Sequence, residues 1–248
     1  MELLLGSDNM ARLQGAYVLV CGLGGVGSWA AEACARSGIG HIMLVDFDIV
    51  KASNINRQLP ATNSTVGQSK AALMTARLKD INPEADITTT EMRLLPDNIK
   101  PLLDSHPWSC VIDAIDERAA KLELLRQCVE SELFVISSMG AANKLDCSQI
   151  TTGDLFSTIG CPMARLLRKN LKKHGLTKGI TAVYSPELPL LPNTEAMEDS
   201  TADTLPGEKR PMGSLVCVTA TFGMRCASEA IKHIIDTSAL RRRGGSQR

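Results

Sequence analysis

Four closely spaced glycines near the start of the 248-residue chain have the spacing of a phosphate-binding turn. Gly22, Gly24, Gly25 and Gly27 lie in VCGLGGVGSWAAEACARSGIG, between an apolar run and an alanine-rich run. Glycine lets the backbone turn tightly, and a phosphate can then approach the N–H groups at a helix N-terminus, where the helix dipole favours anions. The turn therefore predicts a nucleotide site. By itself it suits equally the pyrophosphate of NAD, which stays intact, and the phosphates of ATP, which are broken during the reaction.

Polar residues beyond the second apolar run favour ATP. Asp46 is placed where a carboxylate accepts the ribose hydroxyls of either nucleotide. Arg57, in DFDIVKASNINRQ, suits the β- and γ-phosphates of a triphosphate, because a guanidinium binds phosphate through paired hydrogen bonds. Lys70 adds a second cation on the same rim. The amides that share the segment with Arg57 are Asn54, Asn56 and Gln58. Each charge alone is typical of a solvated surface, but together, after a glycine turn, they favour a triphosphate.

Two carboxylates follow the predicted fourth strand, in DAIDERAAK. Asp116, just past the strand tip, is predicted to hold Mg²⁺ against the phosphates, since Mg²⁺ is bound by one or two carboxylates together with phosphate oxygens. Asp113 is expected to cap the following helix instead. Together these features predict an ATP site: the glycine turn, the carboxylate for the ribose, the two cations and the carboxylate for the metal.

Charge is balanced, with 27 basic and 27 acidic residues, so any contact with nucleic acid must use a local patch. One such patch is the stretch ARLLRKNLKKHGLTK, which on a helix would form a broad cationic face. Its predicted nucleic-acid contacts are Arg165, Arg168, Lys169, Lys172 and Lys173. An ordinary solvated face has the same composition, so on the residues alone both interpretations stand.

The absence of a signal peptide pattern and of a long apolar run indicates the cellular compartment. MELLLGSDNM does not have the pattern of a signal peptide, and no run of about 18 apolar residues occurs, so we expect a cytoplasmic protein with no membrane partner. The eight cysteines include no CxxC pair, which argues against a zinc site of paired thiolates and indicates reduced thiols in the core.

Predicted strands and helices alternate along the chain and must position these residues. This alternation predicts an α/β, Rossmann-like fold with a mostly parallel sheet and helices on both faces. The predicted strands are residues 17–22, 41–48, 85–93, 110–115, 133–138 and 180–185. The predicted helices are residues 26–38, 67–82, 96–104, 118–130, 161–175 and 214–236. In such sheets ligands bind beyond the carboxyl ends of the strands, where the glycine turn and its polar partners are placed.

These motifs resemble the ThiF-type adenylating family, which includes ubiquitin-activating enzymes and sulfur-carrier adenylyltransferases. The likeness covers GLGGVGSWAAEACARSGIG, DFDIVKASNINRQ, Lys70 and DAIDERAAK, and extends from about Leu4 to Ile235. DLFSTIGCPMARLLRKNLKKHG, AVYSPE and VTATFG are similar to the subgroup that acts on threonylcarbamoyladenosine in tRNA. Carrier-protein relatives usually carry two CxxC zinc pairs, which this chain lacks.

The resemblance implies an ATP-dependent dehydration of threonylcarbamoyladenosine in tRNA to its cyclic form through an acyl-adenylate. It implies nucleotide contacts by Gly24, Gly25 and Gly27, ribose binding by Asp46, phosphate binding by Asn54, Arg57 and Lys70, and Mg²⁺ binding by Asp116. Gln58 is expected to be a further nucleotide contact. Arg57, Lys70 and Asp116 would be catalytic. Modified tRNA and a second copy of the chain are the implied partners, and sulfur-transfer proteins are a further candidate. The alternatives are an adenylyltransferase for a ubiquitin-like or sulfur-carrier protein and a non-catalytic nucleotide-binding scaffold, with an NAD-dependent oxidoreductase least favoured.

With this family pattern we expect a single ThiF-type domain over residues 1–248. Its nucleotide-binding part would be residues 1–140, and its substrate-facing and dimerising part residues 141–236. A mobile loop is predicted at about 186–211 and a disordered tail at 237–248.

Two features depart from the family pattern. An N-terminal arginine that reaches the partner subunit's ATP has no counterpart, because the sequence starts at MELLLG and Arg12 is not expected to replace it. We therefore expect either a truncated start or weakened ATP binding. A cysteine before the VTATFG helix is also replaced, by GEKRPMGS, and Cys217 inside that helix is expected to be a packed thiol rather than a nucleophile.

Overall fold

The computed structural model describes residues 1–191 and 213–240, which form a seven-stranded sheet covered by helices on both faces. The strands are β1 Tyr17–Cys21, β2 His41–Val45, β3 Asp86–Thr90, β4 Cys110–Asp113, β5 Val135–Ser138, β6 Thr151–Asp154 and β7 Thr181–Tyr184. The helices are α1 Glu2–Leu5, α2 Ser7–Gln14, α3 Gly27–Arg36, α4 Lys70–Ile81, α5 Pro96–Leu103, α6 Arg118–Glu130, α7 Pro162–Lys173 and α8 Val216–Ile234. The predicted α/β architecture is confirmed.

The sheet has the strand order β3-β2-β1-β4-β5-β7-β6, and its neighbouring strands are parallel except for the antiparallel pair β6 and β7. The central strand β1 pairs with β2 on one side and β4 on the other, and Cys21 is in register with both Val45 and Asp113. Because these three strands end together, the segments that follow them meet at one edge of the sheet. We call this edge the carboxyl edge. Ligands of such sheets bind there, so the predicted site residues belong at this edge.

Two hydrophobic cores lie on opposite faces of the sheet. One contains α3, α4 and α8, with Phe222 of α8 fully buried in it. The other contains α5, α6 and α7, with Leu124 and Leu167 among its buried residues. Strands such as YVLVC are almost continuously apolar because both of their faces are covered.

The sequence patterns predict none of α1, α2 and β6. The helix α2, SDNMARLQ, is short and mostly polar, and the strand β6, TTGD, contains glycine and aspartate, which are depleted in strands. In β6 no residue is buried, so its sequence shows neither a buried run nor an apolar alternation. The helix α2 forms because it packs on the core, and β6 forms because it pairs with β7. Both partners are parts of the chain far away in sequence.

Two predicted segments extend past the described residues. Of the predicted mobile loop, residues 186–191 are described: Leu190 N donates to Asn143 O at 2.7 Å, and the Glu187 carboxylate accepts from Leu145 N at 2.9 Å. The rest of that loop, from 192 to 211, lies outside the described residues. Of the predicted tail, Thr237–Ala239 form a 3₁₀ turn and Leu240 packs on the core. The rest of it, 241–248, lies outside the described residues.

No helix among residues 1–191 and 213–240 is long and apolar enough to span a membrane.

Candidate nucleotide-binding site

The glycine turn connects β1 to α3, and two of its glycines are required by the backbone. Gly22 has a φ of +89°, and a Cβ atom there would lie 2.8 Å from Ala114 O on the loop after β4. A Cβ at Gly27 would collide with the Gly22 carbonyl. These two positions therefore bring the β1–α3 turn against the β4–α6 loop.

Gly24 and Gly25 have a different role, since neither has a positive φ. An added Cβ at Gly24 would have Gln58 Nε2 as its nearest neighbour, at 3.8 Å, which is ordinary contact. At Gly25 it would lie 3.2 Å from Arg57 Cγ and 3.3 Å from Thr219 Cβ. The backbone N–H groups of Gly24, Gly25 and Gly27 donate to no acceptor within the described part of the chain. Such free amides at the start of a helix are the donors that a phosphate binds.

Asp46 directly follows β2 and is tied to the glycine turn. Its Oδ2 accepts from Leu23 N at 2.5 Å, and its Oδ1 accepts from Asp48 N at 2.8 Å. Burial raises the pKa of Asp46, against the lowering effect of these two hydrogen bonds and of Lys70. Asp46, which is predicted to bind ribose, therefore lies beside the glycine turn.

The segment from Asn54 to Gln58 forms a tight turn over the glycines. Asn54 O accepts from Gln58 N at 2.9 Å, and Asn54 Oδ1 accepts from Lys51 N at 3.1 Å. The Arg57 stem packs on Gly25, and Arg57 Nη1 donates to Ser53 O at 2.9 Å and to Asn56 Oδ1 at 2.8 Å. Burial lowers the pKa of Arg57 below its ordinary value.

Gln58 carries a buried acceptor without a partner. Its side chain is largely buried, and Oε1 accepts no hydrogen bond within the described residues. A buried polar atom without a partner is costly unless a ligand or water satisfies it. Its position beside Gly24 fits a polar ligand over the glycine turn.

Lys70 begins α4 and has a partner that the sequence does not indicate. Its Nζ lies 2.9 Å from Asp48 Oδ2, and its backbone N donates to Asp48 O at 3.1 Å. The lysine side chain is buried, whereas that of Asp48 is half exposed. The structure thus brings Lys70 to the segment after β2, with part of its charge neutralised.

The β4–α6 loop carries the two carboxylates of DAIDERAAK in different surroundings. Asp116 is exposed on the loop, at the carboxyl edge. Asp113 is fully buried and lies 2.7 Å from Lys121 Nζ. It accepts from Ser137 Oγ at 2.6 Å, while the N-cap of α6 is Glu117. The expectation that Asp113 caps this helix is therefore wrong, because the last residue of β4 faces the protein interior.

Metal binding by protein side chains alone is not favoured. Within the ranges 1–191 and 213–240, no group of three or more His, Cys, Asp or Glu side chains could hold an ion. Mg²⁺ usually keeps waters and is held by one or two carboxylates together with substrate phosphates. An exposed Asp116 beside a triphosphate site fits that donor set.

The thiols are mostly buried, as predicted, but Cys217 is an exception. Six cysteines are buried, and burial raises the pKa of Cys34 to about 12. Cys217 is exposed, so the prediction that it is packed is wrong. It lies in the first turn of α8, where Val218, Thr219 and Phe222 face the core and position 217 falls on the outer face.

The basic helix α7 has the predicted amphipathic arrangement. Its buried residues are Ala164, Leu167 and Leu171, and its exposed cations are Arg165, Lys169, Lys172 and Lys173. Arg168 differs because its Nη1 donates to Thr158 O at 2.8 Å, which ties the helix to the preceding loop.

The start of α7 lies at the same edge of the sheet as the glycine turn. Gly160 packs against Pro186, which follows β7, and Cys161 Sγ lies 3.7 Å from the Cβ position of Gly140, which follows β5. Both strands are parallel to β4 within the same sheet, so α7 begins at the carboxyl edge.

Comparisons with known proteins agree with this geometry. A model of the ThiF family matches residues 1–244. The tRNA threonylcarbamoyladenosine dehydratase of Bacillus subtilis (strain 168) is 36% identical over 97% of this chain and 95% of its own length. Two crystal structures of the E. coli tRNA N6-threonylcarbamoyladenosine dehydratase, one in complex with ATP and one with AMP, match with a TM-score of 0.82 at 36% identity. They cover 92% of this chain and 89% of their own.

Proposed function

The chain belongs to the ThiF family, and on that premise we propose that it is an ATP-dependent dehydratase acting on threonylcarbamoyladenosine in tRNA. The observation that carries the proposal is the turn of unpaired glycine amides with the Arg57 side chain packed on Gly25, both within the described residues. The similarity over nearly the whole chain to relatives of that activity supports the choice of substrate.

The reaction needs no protein nucleophile. A carboxylate oxygen of the threonyl group attacks the α-phosphorus of ATP, the bond to the β-phosphate oxygen breaks, and pyrophosphate leaves. The carbamoyl group of the same modification then attacks the activated carbonyl carbon and loses a proton. AMP leaves with the former carboxylate oxygen, so the modified nucleoside has lost one water. No thiol is required, which agrees with the buried state of most cysteines.

The site residues act by positioning and by electrostatics. The amides of Gly24, Gly25 and Gly27 bind phosphate oxygens, and Asp46 accepts the ribose hydroxyls. The side chains that order and neutralise the phosphates are Asn54, Arg57 and Lys70, and Gln58 is a further nucleotide contact. Asp116 would hold Mg²⁺, which when bound neutralises charge on the phosphates.

The tRNA is bound through phosphate contacts on α7. The exposed cations Arg165, Lys169, Lys172 and Lys173 supply charge without reading sequence, and Arg168 also fixes the helix to its neighbouring loop. Because α7 begins at the carboxyl edge, a tRNA held there reaches the site where ATP binds.

Further features follow the family pattern. Residues 1–140 form the nucleotide-binding part of a single domain, and residues 141–236 form the part that faces substrate and a second copy of the chain. A homodimer in the cytoplasm is the assembly that we propose. Association with sulfur-transfer proteins stays a prediction to which no residue is assigned.

Nucleoside analysis of tRNA incubated with the protein, ATP and Mg²⁺ tests the function. We expect cyclic threonylcarbamoyladenosine, with pyrophosphate released only when the tRNA carries the linear modification. Pyrophosphate release with a carrier protein ending in Gly-Gly, in the absence of tRNA, would instead show an adenylyltransferase. ATP binding without turnover in either assay would show a scaffold.

A further inference from the structure

Two consecutive residues of α3 tie the segment that carries Arg57 to the glycine turn. Ser28 Oγ donates to Gly24 O at 2.6 Å and accepts from Leu59 N at 3.3 Å. Trp29 Nε1 donates to Arg57 O at 3.2 Å. Ser28 is fully buried, so its hydroxyl bridges two backbone segments away from solvent.

We propose that Ser28 and Trp29 are positioning residues for ATP binding, which act by fixing the Asn54–Leu59 segment relative to the glycine turn. Neither side chain contacts a phosphate in this proposal. Their effect passes through Arg57, so the inference rests on the proposed function, in which Arg57 binds the phosphates of ATP.

The geometry around Arg57 explains why its backbone position matters. Its Cγ and Cδ lie 3.2 and 3.4 Å from the Cβ position of Gly25, and both Nη1 hydrogen bonds go to the adjacent Ser53 and Asn56. The guanidinium is therefore placed by the path of its own segment. Paired hydrogen bonds to phosphate depend on angle as well as distance, so a looser segment binds ATP less well.

Trp29 is itself held from the other side. A Cβ atom at Gly223 of α8 would lie 2.8 Å from Trp29 Cβ, which shows how closely α8 packs on this part of α3. The part of α3 from which the Trp29 side chain extends is thus held by α8. The indole N–H reaches the Arg57 carbonyl from this fixed backbone position.

Substitution Trp29→Phe removes the indole N–H and keeps an aromatic ring. We expect the Kd for ATP to rise roughly 3- to 10-fold, the effect of losing one hydrogen bond that orders the segment. The Kd for AMP is expected to change less, because AMP lacks the β- and γ-phosphates assigned to Arg57. Circular dichroism and cooperative unfolding check that the variant is folded.

Trp108→Phe is the matched control. Trp108 Nε1 also donates to a backbone carbonyl, Leu102 O, at 3.2 Å, but it lies in the core that contains α5 and α6. Removing that bond should leave the Kd for ATP unchanged. Ser28→Ala, which loses both bridging hydrogen bonds, is a second variant and should weaken ATP binding in the same direction.

The decisive measurement is a double-mutant cycle with Arg57→Ala. If Trp29 acts through Arg57, Trp29→Phe has no further effect on ATP binding in the Arg57→Ala background. Two results overturn this inference alone. One is additive effects in the cycle; the other is an unchanged Kd for ATP in both Trp29→Phe and Ser28→Ala while the wild-type protein binds ATP. Failure of the wild-type protein to bind ATP overturns the proposed function as well.

Discussion

Asp113 and Lys121 form an ion pair in the protein interior, with Asp113 Oδ2 2.7 Å from Lys121 Nζ and both side chains fully buried. The pair joins the end of β4 to the first turns of α6. Lys121 also donates to Ile115 O at 3.2 Å, and Asp113 accepts from Ile115 N at 3.1 Å. The two charges therefore fix both ends of the loop that carries Asp116.

Breaking this pair should strongly destabilise the protein. Substitution Lys121→Met leaves the Asp113 charge buried without its partner, and such losses cost about 3–5 kcal/mol. Urea denaturation should show a lower midpoint for Lys121→Met. The double variant Asp113→Asn with Lys121→Met removes both charges and should recover part of the loss. A Lys121→Met midpoint equal to that of the wild-type protein would contradict this account.

The pair also shows what the sequence could not predict. An aspartate just before a helix predicts a cap, and nothing in DAIDERAAK indicates that the strand ends facing a lysine eight residues on. The same holds for Lys70, whose partner Asp48 precedes it by 22 residues. Side-chain pairs between elements depend on how those elements pack, which periodicity does not give.

The placement of residues carried by short contiguous motifs was predictable. The glycine turn follows β1, and Asp46 and Arg57 both follow β2. Parallel strands bring their carboxyl ends together, so the sequence predicts that these residues share one edge. The Cys217 prediction is wrong because VCVTATFG is apolar in most positions, which hides the helical phase that leaves 217 outside. Ser28 and Trp29 are visible in the motif, but their hydrogen bonds to the Arg57 segment are not.

Substitution Asp116→Ala should abolish pyrophosphate release and leave the fold intact, because the residue is exposed and is the proposed Mg²⁺ ligand. Pyrophosphate release in the presence of modified tRNA measures the first effect, and thermal unfolding the second. Asp80→Ala, which removes an exposed carboxylate from α4, is the control and should keep full activity. Normal turnover in Asp116→Ala would remove this residue from the mechanism.

Alanine substitutions at Gly24 and Gly25 should weaken ATP binding for different reasons. At Gly24 a Cβ meets only Gln58 Nε2 at 3.8 Å, so the protein should fold normally and the reduced affinity reports the close approach of a phosphate. At Gly25 the Cβ would press on Arg57 and Thr219 at 3.2 and 3.3 Å, so the Arg57 side chain must move. Titration with ATP and thermal unfolding of both variants test this difference. Unchanged ATP affinity in Gly24→Ala would argue against phosphate binding at the turn.

Stability should fall at acid pH through Glu32. Burial alone would raise the pKa of this carboxyl, but hydrogen bonds from Arg77 and Arg36 outweigh it and lower the pKa below its ordinary value of 4.5. A group with a lowered pKa in the folded state stabilises the protein above its unfolded pKa, and that contribution is lost as pH falls through the folded pKa. We therefore expect Glu32→Gln to flatten the loss of stability below about pH 4.5, measured by urea denaturation at several pH values. A loss of stability at acid pH that is as steep in Glu32→Gln as in the wild-type protein would contradict this role of Glu32.

Charge reversal on α7 should weaken tRNA binding without affecting ATP. Lys169, Lys172 and Lys173 are exposed on the outer face of the helix, whose buried side is formed by residues such as Leu167. Their replacement by Glu should lower the affinity for tRNA and reduce the dependence of log K on log salt by about 1 for each phosphate that the variant no longer neutralises. Filter binding at several salt concentrations measures both, and the ATP affinity of the same variant serves as its internal control. Because α7 begins at the carboxyl edge, the variant should lose turnover through a higher KM for tRNA. Tight binding with the wild-type salt dependence would mean that these lysines form an ordinary solvated face.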